Sequence, residues 1–322
     1  MTVSHQSRSD TAVPWLLDAS GGDDGRVPLD VVLAERLADV QGVLREHGVV
    51  VVTGLRPVDD VAGGTLRDAM LAITGSKPTP YAEQSSPRTA VGEGVFTATD
   101  YPAHAEIFLH NELSYARSWP EHLLFYCGQP AERGGQTVFA DCARVRREIP
   151  PEILAEFEAK DWMYVRNLRG SAGLDWQQVF QTTSREHVEE YCRANDIRLE
   201  WRDQGVRLRA VRPVTLVTGD VPRWFNHVAA FHTSTLPDGL ARSLRSIYAE
   251  EDIPVNTYFG TGEPIPDRTV GEIREAYQRV AVDVVWRRGD LAVVDNRRVA
   301  HGRRPFVGTR KVFVVLAGEG RR

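Results

Sequence analysis

Nine histidines, at positions 5, 47, 104, 110, 122, 187, 227, 232 and 301, carry most of the metal-binding chemistry this chain could perform. Three of them precede a glutamate by two places: His104-Ala105-Glu106, His110-Asn111-Glu112 and His187-Val188-Glu189. With 44 Asp and Glu among 322 residues, about one such pair arises by chance, so the string alone selects nothing. Context does. On a strand, residues i and i+2 project from one face about 6.5–7 Å apart, and an imidazole and a carboxylate can close on one metal. On a helix the same pair diverges by about 200°. His187 follows Ser184 in a polar helical stretch and reads as a solvated face. His104 comes just after Pro102 in an irregular segment and reads as a loop or lid residue. His110 sits in Ile107-Phe108-Leu109-His110-Asn111-Glu112-Leu113-Ser114-Tyr115, where apolar residues alternate around the polar pair as in a strand.

Two donors leave a first-row metal underheld. A third is offered by His301: the apolar run Leu291 to Val294 ends in Asp295-Asn296, and His301-Gly302 follows at a strand rim. A merely satisfied or exposed histidine would look the same on that segment alone. Two histidines and one carboxylate, with three positions left open, are the facial triad of non-haem Fe(II) oxygenases.

Such donors need a rigid frame. Apolar residues recur at helical spacing from Leu29 to His47, Gly48 breaks the run, and Val49 to Val52 reads as a buried strand. A second helix fits Val61 to Thr74. Residues 75 to 104 have no sustained periodicity and predict a lid or disorder. About ten short β-type runs follow: Ile107–Ser114, Leu123–Cys127, Thr137–Ala140, Trp162–Asn167, Val206–Val211, Val214–Thr218, Trp224–Asn226, Val282–Trp286, Leu291–Val294 and Lys311–Ala317. Helical patterns at Pro151–Ala159, Ser184–Ala194, Leu240–Ala249 and Asp267–Val280 interrupt them without regular alternation. The expected fold is mainly β with flanking helices, a jelly roll in one domain over residues 28–322, after a flexible polar arm at 1–27.

Composition limits the partners. A net charge of -5 gives no electrostatic reason to expect nucleic acid or an anionic membrane. Neither a bilayer-spanning run nor a signal-peptide core is present, and three widely spaced cysteines suggest no disulfide frame, so a cytoplasmic setting is expected.

Five ordered segments resemble the TauD/TfdA-like, clavaminate-synthase-like family of Fe(II)/2-oxoglutarate dioxygenases, and within it the SyrP-like branch. They are His110-Asn111-Glu112-Leu113-Ser114-Tyr115; Pro120-Glu121-His122-Leu123-Leu124-Phe125-Tyr126-Cys127; Gly134-Gly135-Gln136-Thr137-Val138-Phe139-Ala140-Asp141; Trp224-Phe225-Asn226; and Trp286-Arg287-Arg288-Gly289-Asp290 through His301-Gly302-Arg303-Arg304-Pro305-Phe306-Val307-Gly308-Thr309-Arg310. The likeness runs from about residue 45 to 317.

The resemblance implies a double-stranded β-helix, with iron on His110, Glu112 and His301, and 2-oxoglutarate and O2 as cosubstrates. Arg310 matches the family's arginine for the far carboxylate of 2-oxoglutarate, and Thr137 the threonine whose hydroxyl reaches the same group. Many members carry Asp where this chain has Glu112; Glu is more like the branch that hydroxylates amino acids and their peptidyl or carrier-bound forms. A full carboxylate there speaks against halogenation, for which relatives have a small residue. The expected reaction is hydroxylation of an unactivated C–H in an amino-acid-type unit of specialised metabolism. Glu106 for the substrate's ammonium and Arg303 for its carboxylate are candidates among several. Desaturation, epoxidation or cyclisation would use the same oxidant. A cupin-like metal hydrolase or isomerase would need the triad without Arg310, and a non-catalytic jelly-roll binding module would need neither.

Overall fold

Val49 to Val52 and Leu123 to Cys127 are apolar at consecutive positions, the pattern of strands covered on both faces. The computed structural model describes residues 13, 15–21, 25–79, 83, 85, 88–98, 101–170 and 173–322, and places both runs in a seven-stranded sheet. Its order is Leu16–Asp18, Val49–Thr53, Leu291–Asp295, His122–Gln129, Lys311–Ala317, Val95–Thr97 and Ala90–Gly92. All pairings in it are antiparallel except that of Leu16–Asp18 with Val49–Thr53.

Alternation then divides each strand between two cores. Val50, Val52, Leu124, Tyr126, Val293 and Val315 pack beneath helices Leu29–His47 and Thr65–Thr74. Their neighbours Val49, Val51, Leu123, Phe125, Ala292, Val294, Val312 and Val314 face the molecular interior. Opposite lies a four-stranded sheet of order Val282–Val284, Thr137–Asp141, Val299–Arg303 and Ile107–His110. The two sheets make the jelly roll. Each large aliphatic side chain buried between them is worth about 1.5–3 kcal/mol against exposure. A further four-stranded sheet, Arg198–Trp201, Val206–Arg212, Trp162–Leu168 and Val255–Phe259, buries Trp162, Tyr164 and Leu208 in the same core.

Helices Leu29–His47 and Asp267–Val280 and strand Lys311–Ala317 begin and end where the periodicity puts them. Elsewhere the structure differs. The second helix starts at Thr65 rather than Val61, and the expected strand at 107–114 stops at His110. Of the polar arm expected at 1–27, residues 1–12, 14 and 22–24 lie outside the described residues; Leu16–Asp18 is an edge strand of the large sheet. The aperiodic stretch 75–104 contains the short strands Ala90–Gly92 and Val95–Thr97, the second paired with Lys311–Ala317. Three-residue strands are too short to show a period. Residues 80–82, 84, 86–87 and 99–100 of that stretch lie outside the description. Among the described residues no helix is long and apolar enough to cross a membrane.

Candidate metal centre and cosubstrate pocket

Strands Ile107–His110 and Val299–Arg303 are antiparallel neighbours whose register sets His301 opposite His110. Directly opposed residues project from the same face, and the two imidazole centroids are 4.6 Å apart. The strands can come this close only at Gly302, where a Cβ would stand 2.6 Å from the Ile107 carbonyl oxygen. Between His301 and Arg303 the register shifts, a bulge of the kind that re-aims side chains beside a site. Sequence reasoning put His301 at a strand rim; it lies in mid-strand, 6% exposed.

Glu112 reaches this face by a turn, not by the i, i+2 geometry of a strand. The chain leaves the sheet after His110, and Leu113 takes a φ of 54°. Asn296, with no exposed surface, clamps that turn. The Glu112 backbone N–H donates to Asn296 Oδ1 at 2.8 Å, while Asn296 Nδ2 donates to the carbonyls of Glu112 at 2.9 Å and Pro120 at 2.8 Å. Asn111 adds a bond from Nδ2 to the Asn296 carbonyl at 2.6 Å. Candidate donor atoms of His110, Glu112 and His301 consequently lie within 4.8 Å of one another, with Glu112 Oε2 3.8 Å from His301 Nε2.

The electrostatics suit a metal. His110 Nδ1 donates to the Phe108 carbonyl at 2.7 Å, which fixes the tautomer and leaves the Nε2 lone pair available. Burial pushes His110 below the usual imidazole range and His301 well below it, the latter helped by the charges of His110 and Arg88. Both are then neutral at pH 7, the state in which an imidazole is a ligand. Two neutral imidazoles and a carboxylate, 3% exposed, form a donor set for a divalent first-row metal. Arg88 lies against it: its Nη2 donates to Glu112 Oε2 at 2.5 Å, and both side chains are 4% exposed. A third buried histidine, His227, accepts or donates a bond at 2.6 Å with Ser114 Oγ, its ring 5.1 Å from that of His110.

Next to the donors is a narrow pocket lined by Arg88, His110, Phe125, Thr137, His301 and Arg310 among others. Arg310 Nε donates to the Gly135 carbonyl at 2.9 Å and its Nη2 to Thr137 Oγ1 at 3.2 Å. Gly135 permits this with a φ of 71°; a Cβ there would crowd Arg310 Cδ at 3.0 Å. Trp286 Nε1 also donates to Thr137 Oγ1, at 2.8 Å. Burial, and the charge of Arg303 nearby, bring the Arg310 guanidinium down to about 10. Among the described residues no carboxylate pairs with it.

The two substrate candidates are placed differently. Glu106 does not line the pocket; its carboxylate pairs with Arg304 at 2.7 Å and Arg274 at 3.6 Å. Arg303 lines it, but donates to the carbonyls of Tyr101 (3.2 Å), Pro102 (2.8 Å) and Ala105 (2.5 Å). One dimension could not reveal these commitments; Arg303 Nε, buried, has no hydrogen-bond partner among the described residues. His104 and His187 are exposed. No role for Arg88, Asn296 or His227 is legible in the sequence alone, although Asn296 belongs to the Asp295-Asn296 pair ahead of His301 and His227 directly follows Trp224-Phe225-Asn226.

Two outcomes follow from this geometry. Asn296→Ala leaves the Glu112 N–H unpaired in the interior and should lower affinity for Mn(II) about 10- to 100-fold, read by calorimetric titration. Acid should destabilise the fold through its buried histidines. His110, His122, His227, His232 and His301 all have lowered proton affinities, chiefly from burial. The unfolded chain binds protons first, so their contribution is complete above the ordinary pKa of about 6.5 and is lost progressively as pH falls below it. Urea midpoints should be flat from pH 8 to 7 and drop steadily from 6.5 to 5.

Comparison with known proteins agrees with this architecture. The family described as taurine catabolism dioxygenase TauD, TfdA family matches residues 14–316. Dapdiamide synthesis protein DdaC of Enterobacter agglomerans is 35% identical over 280 residues, covering 86% of this chain and 84% of its own. A clavaminate synthase-like protein of Arabidopsis thaliana is 29% identical over 290 residues, covering 86% and 83%. Among solved structures, PvcB of Pseudomonas aeruginosa superposes with a TM-score of 0.54 at 13% identity, over 94% of this chain and 84% of that one. Asparagine oxygenase in complex with Fe(II), 3-hydroxyasparagine and succinate gives 0.53 at 16% identity, over 89% and 79%. At such identities the two structures speak for the shared fold.

Proposed function

The chain belongs to the TauD/TfdA family of dioxygenases, an oxidoreductase dependent on ferrous iron and 2-oxoglutarate, and on that premise we propose that it hydroxylates an unactivated C–H bond of an amino acid or amino-acid-derived unit in a biosynthetic pathway. The carrying observation is a pair of adjacent features: three convergent donors, two of which line the pocket, and on the same pocket a half-buried guanidinium with no carboxylate partner among the described residues. His110, Glu112 and His301 would hold the iron. When bound, iron with 2-oxoglutarate and O2 supplies the oxidising power that places oxygen on carbon.

The remaining roles belong to this chain's own groups. Thr137 Oγ1 accepts from both Trp286 and Arg310, so its two lone pairs are taken and its proton is left to donate to an anion. Arg310 is held by Gly135 and Thr137 with Nη1 uncommitted among the described residues, ready for the far carboxylate of 2-oxoglutarate. Phe125, 5.2 Å from the His301 ring, fills the apolar wall between these polar groups. We assign the cover over the substrate to the stretch 75–104. Support comes from Arg88 at Glu112 and from Glu83, 1% exposed, which accepts from the hydroxyls of Tyr164 and Tyr191 at 2.9 Å each.

The substrate class rests on Glu112 and on likeness to a protein named for dapdiamide synthesis; whether the unit is free or carrier-bound is part of the test. Aerobic incubation with Fe(II), 2-oxoglutarate and a panel of amino acids, N-acyl amino acids and aminoacyl carrier proteins should release succinate in step with one substrate's gain of 16 mass units. No succinate above the uncoupled level anywhere in the panel would overturn the substrate class. An absence of the weak visible band expected on adding Fe(II) and 2-oxoglutarate under argon would overturn the assignment of the centre itself.

A further inference from the structure

The Arg88 guanidinium stands where the metal's charge would act. Its Nη2 is 2.5 Å from Glu112 Oε2, the same oxygen that lies 3.8 Å from His301 Nε2, and it lines the pocket with His110 and His301. Both partners of the ion pair are 4% exposed, so water screens it little. A divalent ion bound by the three donors and a guanidinium on one of their oxygens would be like charges a few ångströms apart in a poorly screened interior, a strongly repulsive arrangement.

On the reading of the metal centre given above, we propose that Arg88 is a positioning residue for Glu112 that serves as the carboxylate's counter-ion in the metal-free protein and is displaced from it when the metal binds. The guanidinium holds the Glu112 carboxylate on the side of the two histidines before any metal arrives. Loading exchanges one cation for another at Glu112 Oε2. Because Arg88 immediately precedes the strands Ala90–Gly92 and Val95–Thr97, the exchange couples the metal to the segment bordering the pocket. Such coupling is reciprocal: whatever holds Arg88 on Glu112 weakens metal binding by the same factor.

Mn(II) alone, without 2-oxoglutarate, is titrated under argon into the full chain, its Arg88→Gln and Arg88→Lys variants, and His301→Ala. Arg88→Gln removes the competing charge and should bind Mn(II) about 5- to 150-fold more tightly than the unmodified chain. Arg88→Lys restores a cation and should return affinity toward the original value. The gain in Tm on adding metal should be larger for Arg88→Gln, since its metal-free form has lost a counter-ion. Equal or weaker binding by a folded Arg88→Gln protein would mean that Arg88 stays on Glu112 and orients it in the loaded site, which overturns the exchange. Should that variant not fold, amide exchange on the unmodified chain decides: residues 88–98 should exchange faster with Mn(II) than without, and slower or unchanged exchange refutes displacement. Failure of the unmodified chain to bind Mn(II), or undiminished binding by His301→Ala, strikes at the metal centre instead.

Discussion

Replacing His301 by alanine should abolish Mn(II) or Fe(II) binding in the micromolar range and, with it, all 2-oxoglutarate turnover. Loss of a group that merely orients a ligand costs about 10- to 100-fold in metal affinity, so loss of a ligand itself should exceed that range. The remaining donors would be His110, tied at Nδ1 to Phe108, and Glu112, already ion-paired with Arg88. Two protein ligands against a competing guanidinium hold a labile ion poorly. The fold should persist, because the side chain lies at a pocket wall and Gly302 keeps the strand crossing intact. Calorimetry with circular dichroism is the check. His104→Ala and His187→Ala, which alter exposed side chains, should match the unmodified chain in both measurements. Binding retained by His301→Ala would show that the donors do not act together.

The second large effect is expected at Arg310. Removing one partner from a buried charge pair costs about 2–5 kcal/mol, which is roughly 30- to 5,000-fold in the Kd for 2-oxoglutarate. Arg310→Ala should show that loss while metal affinity changes little, since the guanidinium bonds to Gly135 and Thr137 and to none of the three donors. Unliganded stability gives an independent sign. The cation is half-buried with no carboxylate partner among the described residues, and desolvation lowers it to about 10. Its removal should therefore leave the Tm of the unliganded protein unchanged or raised, while the Tm gain from 2-oxoglutarate disappears. Arg310→Lys keeps the charge but cannot span Gly135 and Thr137 as a fork, and should fall between the two. A cupin-like hydrolase carrying the same triad would show no 2-oxoglutarate dependence to lose.

Much of the frame was legible because the physics that sets it is local. Helical spacing from Leu29 to His47 needs only neighbours three and four residues away, and Gly48, at a φ of 75°, ends the helix by accepting a conformation other residues avoid. Runs such as Val49 to Val52 announce a strand buried on both faces. The strand Val299–Arg303 was not legible, since it is short, holds a histidine, glycine and arginine, and owes its conformation to pairing with Thr137–Asp141 on one side and Ile107–His110 on the other. Glu112 was picked for a strand geometry that the chain does not adopt; Asn296, 184 residues away, makes the turn that aims it.

Residue types and their order were enough to single out His110, Glu112 and His301 as candidate donors and a β architecture to hold them, because ligand chemistry and apolar periodicity are written in the side chains themselves; Thr137 and Arg310 are singled out only by the family resemblance. Which arginines are occupied was decided only by the folded chain. Arg303 commits both terminal nitrogens to three backbone carbonyls, Arg304 pairs with Glu106, and Arg88 with Glu112, whereas Arg310 meets only neutral acceptors among the described residues. A charge is available to a ligand or not according to what lies within about 4 Å of it, and those neighbours come from strands and turns far apart along the chain.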